Sequence, residues 1–180
     1  DRLTVHDLLA ALLVASAGDA AQALARVAGT RIAPASGSPL DAFVRAMNQE
    51  AERLGLRHSR FLTPDGRDVP GQVTTARDLA IAASHLLADP VLASIVASTT
   101  WEVTIEGPNP RRQVLFNTNQ LAGASDVVGV KTGTSPAAGQ CVVLGVRRGH
   151  DTVLVVVMGS ADRYRDVQAI LDWMDARYRW

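Results

Sequence analysis

Lysine is almost missing from this chain: of its 18 basic residues only Lys131 is a lysine, and the rest are arginines. Cysteine is nearly missing too, with Cys141 alone, and aromatic residues make up 4% of the 180 positions. One cysteine excludes an internal disulfide and any cysteine-based metal cluster. The formal net charge is zero and the arginines are spread along the chain, which argues against a nucleic-acid surface or a polybasic membrane patch. The apolar-rich run Thr152 to Met158 is far too short to span a bilayer. The histidines at 6, 58, 85 and 150 have no ligand spacing, so no metal site is expected.

What is present suits one domain with a substantial core, at 47% apolar and 20% charged residues. The chain opens at Asp1, without an initiator methionine or a signal peptide, a few residues before the first helix signal. The expectation is an internal boundary, with residues missing upstream and any membrane anchor lying outside this chain.

The expected division of the single domain 1–180 is a mainly helical part, 1–98, and a part with antiparallel strands and a closing helix, 99–180. Thr4 and Asp7 form a capping box ahead of a helix over about 5–15. Gly18 ends that helix and Asp19 caps the next, about 20–28. Ser38-Pro39-Leu40-Asp41 combines a cap, a first-turn proline and a first-turn acid, and its helix stops at Gly55. Thr75 with Asp78 opens a fourth helix, and Asp89-Pro90 opens a short fifth one reaching about Ala97. The period then changes. Residues 101–106 alternate as a half-buried strand, and 127–131, 140–147 and 152–158 are further strands. Arg148-Gly149-His150-Asp151 joins the last two as a hairpin turn. Residues 162–180 form the closing helix. Helices segregated from an antiparallel sheet make an α+β fold.

Two places carry possible chemistry. Lys131-Thr132-Gly133-Thr134 follows an apolar strand and reads locally as a turn with a solvated lysine. The same residues also supply a cationic head, a neighbouring hydroxyl and a glycine that admits a substrate backbone, which suits a strand-edge binding site. Ser16-Ala17-Gly18 reads locally as punctuation between helices, with Gly18 as C-cap. Cys141 reads as a packing residue in an apolar strand.

Seven stretches occur together in order: residues 3–9 (Leu-Thr-Val-His-Asp-Leu-Leu), 16–21 (Ser-Ala-Gly-Asp-Ala-Ala), 47–56, 61–66 (Phe-Leu-Thr-Pro-Asp-Gly), 70–80, 117–121 (Asn-Thr-Asn-Gln-Leu), and 129–134 with 138–141. On these the chain resembles the low-molecular-mass penicillin-binding proteins that are serine-type D-alanyl-D-alanine carboxypeptidases, across nearly its whole length. The resemblance implies a penicillin-binding-protein or β-lactamase-like fold, with the N-terminal part absent here. It implies removal of the terminal D-alanine from peptidoglycan stem peptides through an acyl-serine, without metal or cofactor, in an exported protein of the periplasm or cell envelope. β-Lactams would acylate the same serine.

By position, the resemblance makes Lys131 the lysine of the family's Lys-Thr-Gly strand and Ser16 the serine of its Ser-x-Asn motif, a proton-relay partner. Thr132, Gly133 and the edge of their strand would bind the stem peptide, and the Thr134 N–H would be half of the oxyanion hole. Arg163, ten residues before Trp173, would help bind the substrate carboxylate, with Arg165 as a competing candidate. Two departures stand out. Gly18 replaces the asparagine of Ser-x-Asn. No Ser-x-x-Lys occurs anywhere in the chain, so the nucleophile and its base are missing and the isolated chain is expected to be inactive. Two other readings remain: a non-catalytic peptidoglycan-binding relative, for which Gly18 speaks, and a class A-like β-lactamase. The β-lactamase should carry a deacylating glutamate, but residues 59–75 contain none.

Overall fold

The computed structural model describes residues 1–33 and 37–180. Five helices come first: α1 (Val5–Leu13), α2 (Gly18–Ile32), α3 (Pro39–Leu54), α4 (Ala76–Ala88) and α5 (Pro90–Ala97). A two-stranded hairpin follows, β1 (Thr100–Ile105) with β2 (Arg111–Phe116). A separate antiparallel sheet then runs in the order β3 (Val127–Ser135), β4 (Gly139–Arg148), β5 (Asp151–Ser160), and α6 (Arg163–Asp175) closes the chain.

Side-chain caps start four of the first five helices. The hydroxyls of Thr4, Ser38 and Thr75 accept the N–H groups of Asp7, Asp41 and Asp78, and the Asp89 carboxylate accepts those of Val91 and Leu92. Each satisfies backbone donors that the first turn leaves unpaired. α3 ends on Gly55 in the left-handed conformation, φ 79°.

The first interhelical corner differs from the sequence expectation. α1 stops at Leu13, and Gly18 does not end it but begins α2, which has Ala17 at its N-cap without a side-chain bond. α2 also runs on to Ile32, because tertiary packing holds its last turns: a Cβ on Gly29 would lie 1.9 Å from the Pro39 carbonyl oxygen. Only glycine permits α3 to begin so close to α2.

The three-stranded sheet is buried on both faces, which explains why its strands read as apolar runs rather than strict alternations. On one face Val142, Leu144, Val146, Val155 and Val157 pack against Val167, Leu171 and Met174 of α6. On the other, Val130 and Val143, with Leu154 and Val156, meet Ala83, Leu79, Leu86 and Leu87 of α4 and Val96 of α5. A third cluster, Ala10, Val14 and Ile95 with Trp101 and Leu115, fastens α1 to α5 and the β1–β2 hairpin. Together these clusters set the α1–α2 corner beside β3, the first strand of the sheet.

Candidate active site

β3 continues past the expected strand, through Thr132, Gly133 and Thr134 to Ser135, because all of them pair with β4: Lys131 lies opposite Val143, Thr132 opposite Val142 and Gly133 opposite Cys141. The Lys-Thr-Gly-Thr segment is therefore strand rather than turn. It pairs with β4 on one side, and no other described strand pairs with it.

Alternation splits its side chains between the two faces. Lys131 points to the helical side, where its ammonium donates to the hydroxyl of Ser16, 115 positions earlier in the chain. It also donates to the Thr132 carbonyl at 2.8 Å. Burial, followed by the nearby positive charge of Arg163, brings the Lys131 ammonium down from 10.5 to about 8. Ser16 stands in the left-handed region at φ 59°, alone among the described non-glycine residues, a backbone state such residues seldom adopt. Around it, the Ala17 N–H bonds the Ala11 carbonyl at 3.0 Å and the Thr118 N–H bonds the Val14 carbonyl at 3.0 Å. Sustained strain of this kind needs a surrounding structure that fixes it.

Thr132 is buried and turns to the α6 side, where its hydroxyl lies 2.7 Å from that of Thr118. The loop carrying Thr118 is built by two asparagines: Asn117 Oδ1 accepts the Asn119 N–H at 2.8 Å, and Asn119 Oδ1 accepts the Leu121 N–H at 3.1 Å. The Asn117 amide also donates to the Ser98 carbonyl at 2.7 Å. Tyr164 of α6 closes the loop by accepting the Gln120 N–H at 2.9 Å and donating to the Thr118 carbonyl at 3.3 Å.

Gly133 and Thr134 are exposed, and a Cβ on Gly133 would meet nothing within 4 Å. Arg163 caps this end of the strand. Its Nη1 donates to the carbonyls of Gly133 at 2.9 Å and Cys141 at 2.7 Å, its Nε to Gln140 Oε1 at 3.1 Å, and its Nη2 to the Thr134 hydroxyl. Most of its donors are thus spent on the two strands. Arg165 lies on α6 and is exposed, with its backbone N–H on the Asp162 cap. Of the two arginines, Arg163 is the one beside the strand. Cys141 is half-buried, with its thiol 3.5 Å from the Ala138 carbonyl.

The structure thus brings Ser16, Lys131, Thr132, Gly133, Thr134 and Arg163 to one strand and its flanks. Thr118 and Tyr164 belong to the same assembly, and the Asn-Thr-Asn motif at 117–119 is the one signal of it in the sequence. No group of three or more histidine, cysteine, aspartate or glutamate side chains among the described residues could hold a metal ion.

A Lys-Thr-Gly edge strand facing a serine at a helical corner, with helices on both faces of an antiparallel sheet, defines a DD-peptidase fold of the penicillin-binding-protein type. Residues 1–162 match the family model described as D-alanyl-D-alanine carboxypeptidase, peptidase S11, and the chain belongs to that family. It is 33% identical over 96% of its length to the D-alanyl-D-alanine carboxypeptidase DacC of Escherichia coli, of which it covers 41%. The crystal structure of the Streptomyces K15 DD-transpeptidase superposes with a TM-score of 0.86 at 30% identity, over 96% of this chain and 68% of that one. Penicillin-binding protein D2 of Listeria monocytogenes, in its cefotaxime-bound form, gives a TM-score of 0.74 at 28% identity, over 94% of this chain and 65% of that one. The chain thus spans less than half the length of the E. coli relative.

Proposed function

We propose that this chain supplies the strand-edge half of the active site of a serine-type D-alanyl-D-alanine carboxypeptidase, acting in the cell envelope on peptidoglycan stem peptides. The observation that carries the reading is the Lys131–Ser16 contact. A half-buried ammonium, drawn down to about 8, meets a hydroxyl held in a strained backbone, across an exposed strand edge. Such an arrangement is costly unless the site uses it.

In this reading a serine of a Ser-x-x-Lys motif, contributed by residues outside these 180, attacks the carbonyl carbon of the penultimate D-alanine. The carbon–nitrogen bond breaks and D-alanine leaves after taking up a proton. Water then hydrolyses the acyl-serine. Lys131 orients and activates the site electrostatically, and Ser16 relays the proton. The exposed edge at Gly133 lets the peptide backbone approach, and the Thr134 N–H stabilises the charge of the tetrahedral intermediate. Thr132 sets the edge of the strand through its backbone. Arg163 holds the strand end and adds positive charge where the substrate carboxylate would lie. β-Lactams would acylate the same serine.

The test is intact-mass measurement after incubation with a labelled penicillin. The isolated 180-residue chain should remain unmodified, and the full gene product should gain one adduct on the serine of a Ser-x-x-Lys. An adduct mapped to Ser16 would sink this assignment of roles. A full gene product that never acylates but still binds stem peptides would make the protein a non-catalytic binding relative.

A further inference from the structure

Asp68 lies in the loop between α3 and α4, and its carboxylate reaches across to the far end of β3. One oxygen accepts from the Ser135 hydroxyl at 2.6 Å, the other from the Ala137 N–H at 3.1 Å. The Ser135 hydroxyl in turn accepts the Ala138 N–H at 3.1 Å. One carboxylate and one hydroxyl therefore hold the β3–β4 turn. Hydrogen bonds to an ionised acceptor are roughly twice as strong as neutral ones.

The loop that carries Asp68 is itself fastened. Gln72 Oε1 accepts the N–H groups of Leu62 and Thr63 at 2.8 and 2.9 Å, and Gln72 Nε2 donates to the Arg67 carbonyl at 2.9 Å. Arg60 and Val73 exchange backbone bonds at 2.9 and 3.1 Å. Asn48 of α3 accepts the Phe61 N–H at 2.9 Å and donates to the Phe61 carbonyl at 2.7 Å. Asp68 is thus held to the helical block rather than to the sheet.

Two side-chain hydrogen-bond contacts therefore add to the apolar packing in tying β3 and its turn to the helical block. Lys131 meets Ser16 at one, and Asp68 meets Ser135 and Ala137 at the other. Thr134 lies between them, next to the second tie. An oxyanion donor stabilises the intermediate only when it is held close to productive geometry, and the loss of that placement costs rate rather than binding.

We propose that Asp68 is a positioning residue of the acyl-transfer site. It fixes the turn end of β3, and with it the Thr134 N–H, against the helical block that carries Ser16. The proposal rests on the reading of β3 as the acyl-transfer edge. Asp68 itself touches no reacting atom.

The test uses Asp68→Asn and Ser135→Ala in the full gene product, singly and together. It reads amide exchange at Ala137 and Ala138, the saturating acylation rate and half-saturating concentration for a labelled penicillin, and thermal melts. Asp68→Asn should speed exchange at Ala137 and lower the saturating acylation rate about tenfold at an unchanged half-saturating concentration. Ser135→Ala should speed exchange at Ala138, whose N–H loses its acceptor, lower the acylation rate to a lesser extent, and add little to Asp68→Asn, because both break one clamp. Should Asp68→Asn fail to fold, Ser135→Ala, which leaves the Ala137 bond in place, still reports. Unchanged exchange at Ala137 in Asp68→Asn, or at Ala138 in Ser135→Ala, would overturn the clamp. Faster exchange or a lower melting temperature, with acylation held within twofold, would overturn the positioning role. If Lys131→Arg also left acylation intact, the reading of the site itself would be at fault rather than the role of Asp68.

Discussion

The hydroxyls of Thr118 and Thr132 lie 2.7 Å apart on the side of the sheet covered by α6. Thr118 is held from both directions, its N–H on the Val14 carbonyl and its own carbonyl on the Tyr164 hydroxyl. The pair therefore joins the end of α1, the start of α6 and the Lys-Thr-Gly strand. Thr118→Val keeps the shape and leaves the buried Thr132 hydroxyl without this partner. The expected cost is about 1–2 kcal/mol of folding stability, with a several-fold slower acylation of the full gene product. A double-mutant cycle with Thr132→Val, read by urea unfolding, should give a coupling above about 0.5 kcal/mol. Additive losses would mean that the pair is not a working contact.

Acid should destabilise the helical part through two aspartates. Asp78 is 2% exposed. Burial pushes its carboxyl up, but bonds from the Ser59 hydroxyl and the His58 N–H, each 2.8 Å, outweigh that and hold it below the ordinary range. Burial also opposes ionisation of Asp65, and the bonds from Gln22, Arg67 and Thr63 more than offset it, to about 2. Both groups stabilise the fold while ionised. Their contribution is complete above the unfolded value near 4 and is lost as pH falls below it, for Asp65 through about 2. Melting temperatures should hold steady from neutral pH to about 5 and then drop. Asp78→Asn should lower stability at neutral pH and flatten the acid slope. An acid slope unchanged in Asp78→Asn would remove Asp78 from the account.

Local chemistry made much of this fold legible. Thr4, Ser38, Thr75 and Asp89 cap the helices they were expected to cap, and Arg148 to Asp151 turns between β4 and β5. β2 gave no such signal. Its residues Arg111 to Phe116 are mostly exposed on both faces, Phe116 at 70%, so no period marks it and only pairing with β1 makes it a strand. Lys131-Thr132-Gly133-Thr134 has the composition of a turn, yet pairing with β4 draws it into a strand. At the site, Lys131 stood out by being the chain's one lysine. Asp68, Ser135 and Tyr164 did not, since each acts through a bond to a residue remote in sequence, which no local pattern encodes.

Strand β5 is an edge of the three-stranded sheet and carries Met158 at 39% exposure. An unpaired apolar edge is a template for association. The isolated 180-residue chain should therefore self-associate as concentration rises, and Met158→Lys should reduce this without lowering the melting temperature. Sedimentation velocity decides it, and a chain that stays monomeric at high concentration would contradict the expectation.

Gly18 is the first residue of α2 and has no positive φ. A Cβ there would lie 3.6 Å from that of Asp65, an ordinary contact. Gly18→Asn therefore fits without strain and restores the side chain that the family motif carries. Helix propensity alone should change stability by only a few tenths of a kcal/mol. Acylation of the full gene product by a labelled penicillin should rise about tenfold if the side chain assists proton transfer. A variant that folds equally well and acylates no faster would show that this site works without the asparagine.

Lys131 offers the sharpest test, because its charge is tunable and its shape is not. An ammonium is charged below its pKa and neutral above it, and burial, with the charge of Arg163 added, has brought this one to about 8. Acylation that depends on the charge should thus decline as pH rises through about 8, well below the 10.5 of an ordinary lysine. Lys131→Arg keeps a charge that no accessible pH removes, so that limb should vanish from its profile. The guanidinium is also larger and planar, while the space is set by contacts to the Ser16 hydroxyl and the Thr132 carbonyl. Acylation should therefore slow by roughly 10²-fold or more, about 2.7 kcal/mol of barrier, while folding stability changes by less than about 1 kcal/mol. Rates of the two proteins across pH, measured beside their melting curves, separate the charge effect from the shape effect. An arginine variant within a few-fold of the parent, with the same alkaline limb, would mean that Lys131 is ordinary charge at a strand edge and that some other group titrates.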